Sequence, residues 1–211
     1  MKYRAVVFDF DGTIIDTEQH LFDTINRHLE MHGKSPISLD YYRASIGGAA
    51  SELHTYLENE IGKKETKALY DDHHTNSTHL PMIENVRKLM ESLEKKSIPM
   101  AIATSSSRSN IQPALESLNL PERMSVIVGR EDVDEVKPAP DLYLKAVQGL
   151  NLNPISCLAI EDSVNGATAA EAAGLGVVVN TNAMTELMDF DGLQLAGKNM
   201  TADQIDTEFF N

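Results

Sequence analysis

An acidic pair, Asp9 and Asp11, closes the apolar run of residues 5–8 and is followed by Gly12 and Thr13. Side chains two positions apart on a strand point to the same side, so both carboxylates should face one site. Two like charges this close require a cation or a shared proton, which indicates a bound metal, one carboxylate as nucleophile and the other as acid/base. A simple Asp-Gly turn after a core strand fits the same residues, so this motif alone leaves both interpretations open.

Two further apolar runs also end in polar clusters. The clusters are residues 104–107, after the run 100–103, and residues 161–163, after the run 157–160. A cation, Lys137, precedes a segment with helical periodicity. In open parallel α/β sheets, ligands bind outside the carboxyl ends of the strands, which is where these clusters fall. We therefore expect the motifs to meet at one site.

In this order and at these separations, the four motifs resemble those of the haloacid dehalogenase superfamily, and within it the β-phosphoglucomutase-like phosphatase branch. The resemblance covers essentially the whole chain. It implies that Asp9 attacks phosphorus to form an aspartyl phosphate and that Asp11 is the acid/base. It also implies that Thr104 and the amide of Ser105 bind the phosphate, and that Lys137 steadies the nucleophile and the phosphoryl group.

Magnesium is the metal that we expect at this site. The resemblance assigns Glu161 and Asp162 to an acidic magnesium-binding pair, and we expect Asp9, Asp162 and the main-chain carbonyl of Asp11 to hold the ion. Mg²⁺ prefers oxygen ligands and commonly takes one or two carboxylates together with phosphate and water. The predicted core offers zinc no histidine and only one cysteine.

The elements that must position these residues follow from the apolar patterns. Five strand-like runs are present, at residues 5–8, 100–103, 126–128, 157–160 and 177–179. Their alternation with helical patterns predicts an α/β fold, a doubly wound Rossmann-like parallel sheet. Between residues 17 and 80 the apolar stripes have helical spacing. We assign 17–80 to an inserted helical cap, where this family carries a lid, and 1–16 with 81–211 to the catalytic core.

All seven histidines lie in the proposed cap. A Ser-His or Cys-His hydrolase would need its base among the core loops, so the serines after Thr104 are interpreted as phosphate donors. His73 and His74 have polar neighbours and fit a solvated helix end better than a metal or substrate site. Glu18 and His20 begin the first cap helix, close to where a closed lid would meet the site, although an exposed helix start explains them equally well.

Three hypotheses about activity follow. Sugar phosphomutases of this branch grip a distal phosphate with a histidine after the hinge and an arginine beyond the cap's glycine turn, where this chain has Leu21 and Ala50. Without a bidentate arginine, a second phosphate should be held weakly, which favours hydrolysis. The leading hypothesis is a magnesium-dependent phosphatase acting on a small phosphomonoester such as a sugar phosphate. The alternatives are a β-phosphoglucomutase-type mutase and a non-catalytic phosphometabolite sensor.

Composition narrows the choice of partners. A net charge of −14 argues against nucleic acid and acidic membranes, since both surfaces are negative and demand basic patches. No apolar stretch approaches the ~20 residues of a membrane span, and no signal-peptide pattern is present. We expect a cytoplasmic monomer whose partner is a small phosphorylated metabolite.

Overall fold

The computed structural model describes all 211 residues and contains six strands and ten α-helices. The strands are β1 (Ala5–Phe8), β2 (Met100–Ala103), β3 (Val126–Val128), β4 (Cys157–Glu161), β5 (Gly176–Val179) and β6 (Gly197–Lys198). The helices are α1 (Thr17–Met31), α2 (Leu39–Arg43), α3 (Ser51–Ile61), α4 (Lys63–Ser77), α5 (Glu84–Lys95), α6 (Arg108–Ser117), α7 (Leu120–Arg123), α8 (Asp141–Gly149), α9 (Val164–Ala172) and α10 (Ala202–Phe209). No helix combines the length and the apolar character that crossing a membrane would require.

All six strands form one parallel sheet in the order β3-β2-β1-β4-β5-β6. Alternate residues of β1 enter different cores: Val6 and Phe8 pack in a cluster with α5 and α10, and Ala5 and Val7 pack in a cluster with α8 and α9. Because both faces are covered, the strands read as continuous apolar runs. The predicted doubly wound α/β fold is confirmed.

The register of the central strands brings their carboxyl ends level with one another. Phe8 lies opposite Ile102 of β2 and Ile160 of β4. The next residue, Asp9, continues the ladder by donating its amide proton to the carbonyl of Ile160 at 3.0 Å. Polar residues that follow β1, β2 and β4 therefore converge at one edge of the sheet, as the sequence predicts.

Helices α1 to α4 fill the chain between β1 and α5 and have a hydrophobic cluster of their own. Ile25, Leu29, Leu57 and Leu69 lie in this cluster with no exposed surface. Residues of β1 to β6 do not contribute to it, although Met184, beyond β5, does. This separate cluster supports the division into a cap and a core, which stays a prediction. We keep the name cap for residues 17–80.

Candidate active site

A buried lysine joins two carboxylates at the edge of the sheet. Nζ of Lys137, which follows β3, donates to Oδ1 of Asp9 and, at 2.7 Å, to Oε1 of Glu161. The hydroxyl of Tyr143, on α8, donates to the same Oε1 at 2.6 Å. Burial opposes the charge of Lys137, but the two carboxylates outweigh it, and the pKa of Lys137 lies above its ordinary value. Lys137 is therefore a fixed positive charge beside Asp9.

Three carboxylates in this group are suited to a metal ion. Asp9, Glu161 and Asp162 offer oxygens that lie within 4.8 Å of one another. Burial raises the pKa of both Asp9 and Asp162 above the ordinary value, although Lys137 opposes the shift at Asp9. Oδ1 of Asp162 is buried and has no hydrogen-bond partner. A buried, unpaired carboxylate oxygen among like charges fits a hard divalent cation, whose preferred ligands are oxygens.

The close approach of Gly12 to Asp162 depends on the absence of a side chain. Gly12 has φ +81°, and a Cβ there would lie 2.3 Å from Oδ2 of Asp162. Nδ2 of Asn182 donates to this Oδ2 at 2.8 Å and to the carbonyl of Gly12 at 3.1 Å. Asn182 was not among the predicted site residues. The polar residues that follow β5 could have indicated it, because the other site clusters follow strands in the same way.

The carboxylate of Asp11 lies apart from the three acidic groups and accepts hydrogen bonds from hydroxyls. The donors are Oγ of Ser106 at 2.7 Å, Oγ1 of Thr17 at 2.8 Å and Oγ1 of Thr104 at 3.4 Å. The two aspartates of the motif thus occupy different environments, as different roles require. The contact of the Asp11 main-chain carbonyl with a metal stays a prediction. Thr17 is a site residue that the sequence did not indicate, and the hydroxyl of Ser106, interpreted from the sequence as a phosphate donor, donates to Asp11.

The loop after β2 holds the predicted phosphate-binding residues. Oγ1 of Thr104 accepts the amide proton of Ser106 at 3.0 Å. The hydroxyl of Ser105 donates to the carbonyl of Gly47 at 3.0 Å, whereas its amide donates to no group of the protein. A free amide at the end of a strand is suited to an anion, and this supports the predicted role of the Ser105 amide.

A cavity of about 830 Å³ lies between these residues and the cap. The core side includes Asp9, Asp11 and the loop from Thr104 to Ser107. The cap side includes residues of α1, α3 and α4, among them His73 and His74. The interpretation as a solvated helix end was wrong for His73, whereas His74 is partly exposed. His73 is 6% exposed, and its Nδ1 lies 2.9 Å from Nδ1 of His20. Burial lowers the pKa of His73 to about 3, so its imidazole is neutral.

Glu18 is a second titratable group of the cap that reaches the cavity. The hydroxyl of Tyr42 donates to Oε2 of Glu18 at 2.6 Å. Burial raises the pKa of Glu18 to about 7, and this hydrogen bond opposes the shift. The expectation that the start of the first cap helix meets the site is confirmed for Glu18, whereas His20 contacts His73 instead.

The turn between α2 and α3 is joined to the core by three side chains that donate to its main-chain carbonyls. The donor and acceptor residues are Asn165 and Ile46 at 2.8 Å, Ser105 and Gly47 at 3.0 Å, and Arg130 and Ala49 at 3.3 Å. Nε of Arg130 also donates to the carbonyl of Ser105 at 3.0 Å. These contacts hold the cap over the loop that follows β2.

Known proteins share both the sequence and the architecture. The YhcW protein of Bacillus subtilis (strain 168) is 36% identical over 202 residues, which cover 89% of this chain and 88% of YhcW. A phosphorylated carbohydrates phosphatase of Thermotoga maritima is 31% identical over 203 residues, covering 91% of this chain and 93% of that protein. CbbY of Rhodobacter sphaeroides, solved with xylulose-(1,5)bisphosphate, superposes with a TM-score of 0.79 over 96% of each chain at 22% identity, and therefore shares the fold.

The model of the haloacid dehalogenase-like hydrolase family matches residues 6–180, which include every predicted site residue. The acidic motif after β1, the threonine and serine after β2, the lysine and the acidic pair at the end of β4 all lie at one site of the structure. The family resemblance stated from the sequence is confirmed. The chain belongs to the haloacid dehalogenase-like hydrolase family and is a phosphoric monoester hydrolase.

Proposed function

We propose that this enzyme is a magnesium-dependent phosphatase that hydrolyses a small phosphomonoester, such as a sugar phosphate, through an aspartyl phosphate on Asp9. The environment of Asp9 is the observation that carries the proposal. Lys137 engages only Oδ1 of Asp9, so Oδ2 is left to act as nucleophile. The other carboxylate of the motif, Asp11, is held on separate hydroxyl donors. One carboxylate is thus placed to attack and the other to transfer protons.

In the first step Oδ2 of Asp9 forms a bond to phosphorus while the bond from phosphorus to the leaving oxygen breaks. Asp11, in its acid form, gives its proton to that oxygen. In the second step Asp11 takes a proton from water, the water oxygen bonds to phosphorus, and the bond from phosphorus to Asp9 breaks. Inorganic phosphate leaves and both aspartates return to their starting states.

The other residues of the core neutralise and orient the phosphoryl group. Lys137 keeps a positive charge beside the attacking carboxylate, and Thr104 with the amide of Ser105 donates to phosphoryl oxygens. Phosphoryl transfer depends on positioning and charge neutralisation more than on covalent machinery, so this set is sufficient. Glu161 fixes Lys137 through a 2.7 Å contact, and Tyr143 fixes Glu161.

We propose Mg²⁺ as the cation, held by Asp9, Asp162 and the main-chain carbonyl of Asp11, with Glu161 completing the acidic group. The unpaired Oδ1 of Asp162 supports this assignment. When bound, the ion would neutralise phosphoryl oxygens and reduce their repulsion of Asp9. The chain's own part is to hold the carboxylates close together in a buried position.

Hydrolysis is favoured over a mutase reaction by the residues near the cap's glycine turn. Ala50 stands where the mutases carry an arginine. Arg130 reaches the neighbouring Ala49 from the core, but its Nε and Nη2 donate to main-chain carbonyls. A second phosphate therefore lacks a bidentate partner at this turn.

The test is phosphate release from a panel of phosphorylated metabolites with magnesium and with a chelator, together with conversion of glucose 1-phosphate to glucose 6-phosphate. We expect magnesium-dependent release that Asp9→Asn reduces at least about 10⁴-fold, because the nucleophile is lost. Asp203→Asn, at an exposed position on α10, is the matched control and should keep wild-type activity. Isomer conversion without phosphate release would establish the mutase. No activity in either assay would favour the sensor.

A further inference from the structure

One face of α4 forms the cap side of the cavity. Lys63, Lys67, Tyr70 and His74 are spaced by three or four residues, and all of them line the cavity. They therefore follow one another along the helix. With a rise of 1.5 Å per residue, Tyr70 lies about 6 Å from His74 along the axis and Lys63 about 16 Å from it. We call these four residues the α4 face.

Tyr70 and His74, the two members of the α4 face without a lysine charge, lie at the end that is next to the reacting groups. The carbonyl of Thr78, just after α4, accepts a hydrogen bond from Ser117 of the core at 3.2 Å. The charge of Asp11 also acts on His74, where it raises the pKa, while burial lowers the pKa by more. His74 and Tyr70 thus come nearer to the phosphoryl site than the two lysines do.

Tyr70 and His74 present polar atoms that no group of the protein satisfies. Neither the Tyr70 hydroxyl nor a ring nitrogen of His74 takes part in any hydrogen bond or ion pair of the structure. Their rings are nevertheless held, because Tyr70 stacks between two imidazoles. The centroid distances are 5.6 Å to His54 and 6.4 Å to His74, with interplanar angles of 26° and 24°. Fixed rings with free polar edges are typical of a hydrogen-bonding ligand subsite.

The charges around this end of the cavity disfavour an anion. Glu18 reaches the cavity from α1 and is held by Tyr42, and in its ionised form it would repel a neighbouring carboxylate. Lys67 is paired with Asp71 at 2.5 Å, and Lys63 is exposed at the far end of α4. A short leaving group therefore meets hydrogen-bonding groups on the α4 face. The other cation of the lining, Arg130, donates through Nε and Nη2 to main-chain carbonyls of Ser105 and Ala49.

We propose that Tyr70, His74 and Glu18 form a leaving-group subsite for a neutral, hydroxyl-bearing group such as a polyol or a sugar. The subsite selects against short leaving groups that carry a carboxylate or a phosphate of their own. Substrate hydroxyls can both donate to and accept from these three side chains, whereas a carboxylate only accepts. The proposal rests on the proposed phosphatase function. Binding of the substrate's leaving group contributes to kcat/KM, so selectivity between two substrates is measured as the ratio of their kcat/KM values.

Two pairs of substrates that differ in one group test the proposal in the full-length enzyme with magnesium. The pairs are 2-hydroxyethyl phosphate with phosphoglycolate, and glycerol 3-phosphate with 3-phosphoglycerate. We expect kcat/KM to be at least about tenfold higher for the alcohol of each pair, as one well-placed hydrogen bond allows. Tyr70→Phe and His74→Phe should each lower the value for the alcohol about three- to tenfold and move the ratio toward one. Tyr56→Phe, outside the cavity, is the matched control and should change neither value.

Release from 4-nitrophenyl phosphate, whose leaving group bears no hydroxyl, reports the phosphatase function independently. If the wild type hydrolyses this compound but favours the acid of either pair, the leaving-group proposal is wrong while the function stands. A ratio that stays at the wild-type value in both Tyr70→Phe and His74→Phe also overturns the proposal. Absence of hydrolysis of all five compounds overturns the function, and with it the subsite.

Discussion

The core side of the cavity and the α4 face differ in whether their polar groups are hydrogen-bonded within the protein. In the core, Lys137, Glu161 and Tyr143 are joined by direct hydrogen bonds before any ligand is present. On the α4 face, the polar atoms of Tyr70 and His74 have no partner in the protein. In the proposed function, the groups that take part in phosphoryl transfer are therefore already fixed by the protein, and the groups that we propose to meet the leaving group remain free to bind it.

This difference predicts that removing one member of the core network costs far more stability than removing a polar atom from the α4 face. Lys137→Met leaves the carboxylates of Asp9 and Glu161 buried without their cation. We expect the free energy of unfolding to fall by about 3–5 kcal/mol. Tyr70→Phe should change it by less than about 0.5 kcal/mol. Urea denaturation of both variants at pH 7 measures the two values, and equal losses would contradict the contrast.

Acid should weaken the cap through His73, the buried residue beside the α4 face. Its pKa falls from 6.5 to about 3 on folding, so the unfolded chain binds the proton more tightly. The stabilisation is complete above pH 6.5 and is lost as the pH falls toward 3. Between pH 7 and pH 5 this residue should cost about 2 kcal/mol of unfolding free energy.

Denaturation of His73→Gln at the two pH values checks this prediction. The variant should lose the pH-dependent part of the unfolding free energy that His73 contributes. His79→Gln, at an exposed position after α4, is the matched control and should keep the wild-type pH dependence. If the unfolding free energy of His73→Gln changes with pH as much as that of the wild type, another group causes the pH dependence.

The smallest of these effects concerns the proposed metal ligands of the core. Gly12→Ala places a Cβ 2.3 Å from Oδ2 of Asp162 and should displace that carboxylate. We expect the dissociation constant for Mg²⁺ to rise at least about tenfold, because partners of a ligating carboxylate set its orientation. Gly192→Ala is the matched control, since Gly192 also has a positive φ, of +90°, but has no atom within 4 Å of an added Cβ. Calorimetric titration with Mg²⁺ measures both dissociation constants. Gly192→Ala should keep the wild-type value, and an unchanged value in Gly12→Ala would contradict the prediction.

The sequence predicts the core well because buried parallel strands have a simple signature. Residues 5–8, 100–103 and 126–128 are continuous apolar runs, and each is a strand with the predicted bounds. Strand β6 was not predicted, because Gly197 and Lys198 carry no apolar pattern. The acidic pairs, the lysine and the threonine were found because they directly follow these elements or precede a clear helix.

The sequence predicts the cap side of the site poorly, because polar residues are found both where a helix lines a cavity and where it faces bulk solvent. Helix α4 presents lysine, tyrosine and histidine to the cavity, and this pattern also fits a solvated helix face. His73 was misjudged for this reason. Thr17, and the contact of Ser106 with Asp11, were missed because a single hydroxyl has no spacing rule that indicates its partner.

The turn that docks the cap uses carbonyl oxygens, which every amino acid supplies. Asn165, Ser105 and Arg130 of the core would find the same acceptors in a turn of different composition. Gly47 is the most tightly constrained residue of the turn, because it has φ +76° and a Cβ there would lie 2.2 Å from Oγ of Ser163. Mutational drift or protein engineering can therefore exchange cavity-lining side chains of the cap, and with them the leaving group under our proposal, while this turn keeps the cap in place relative to Asp9.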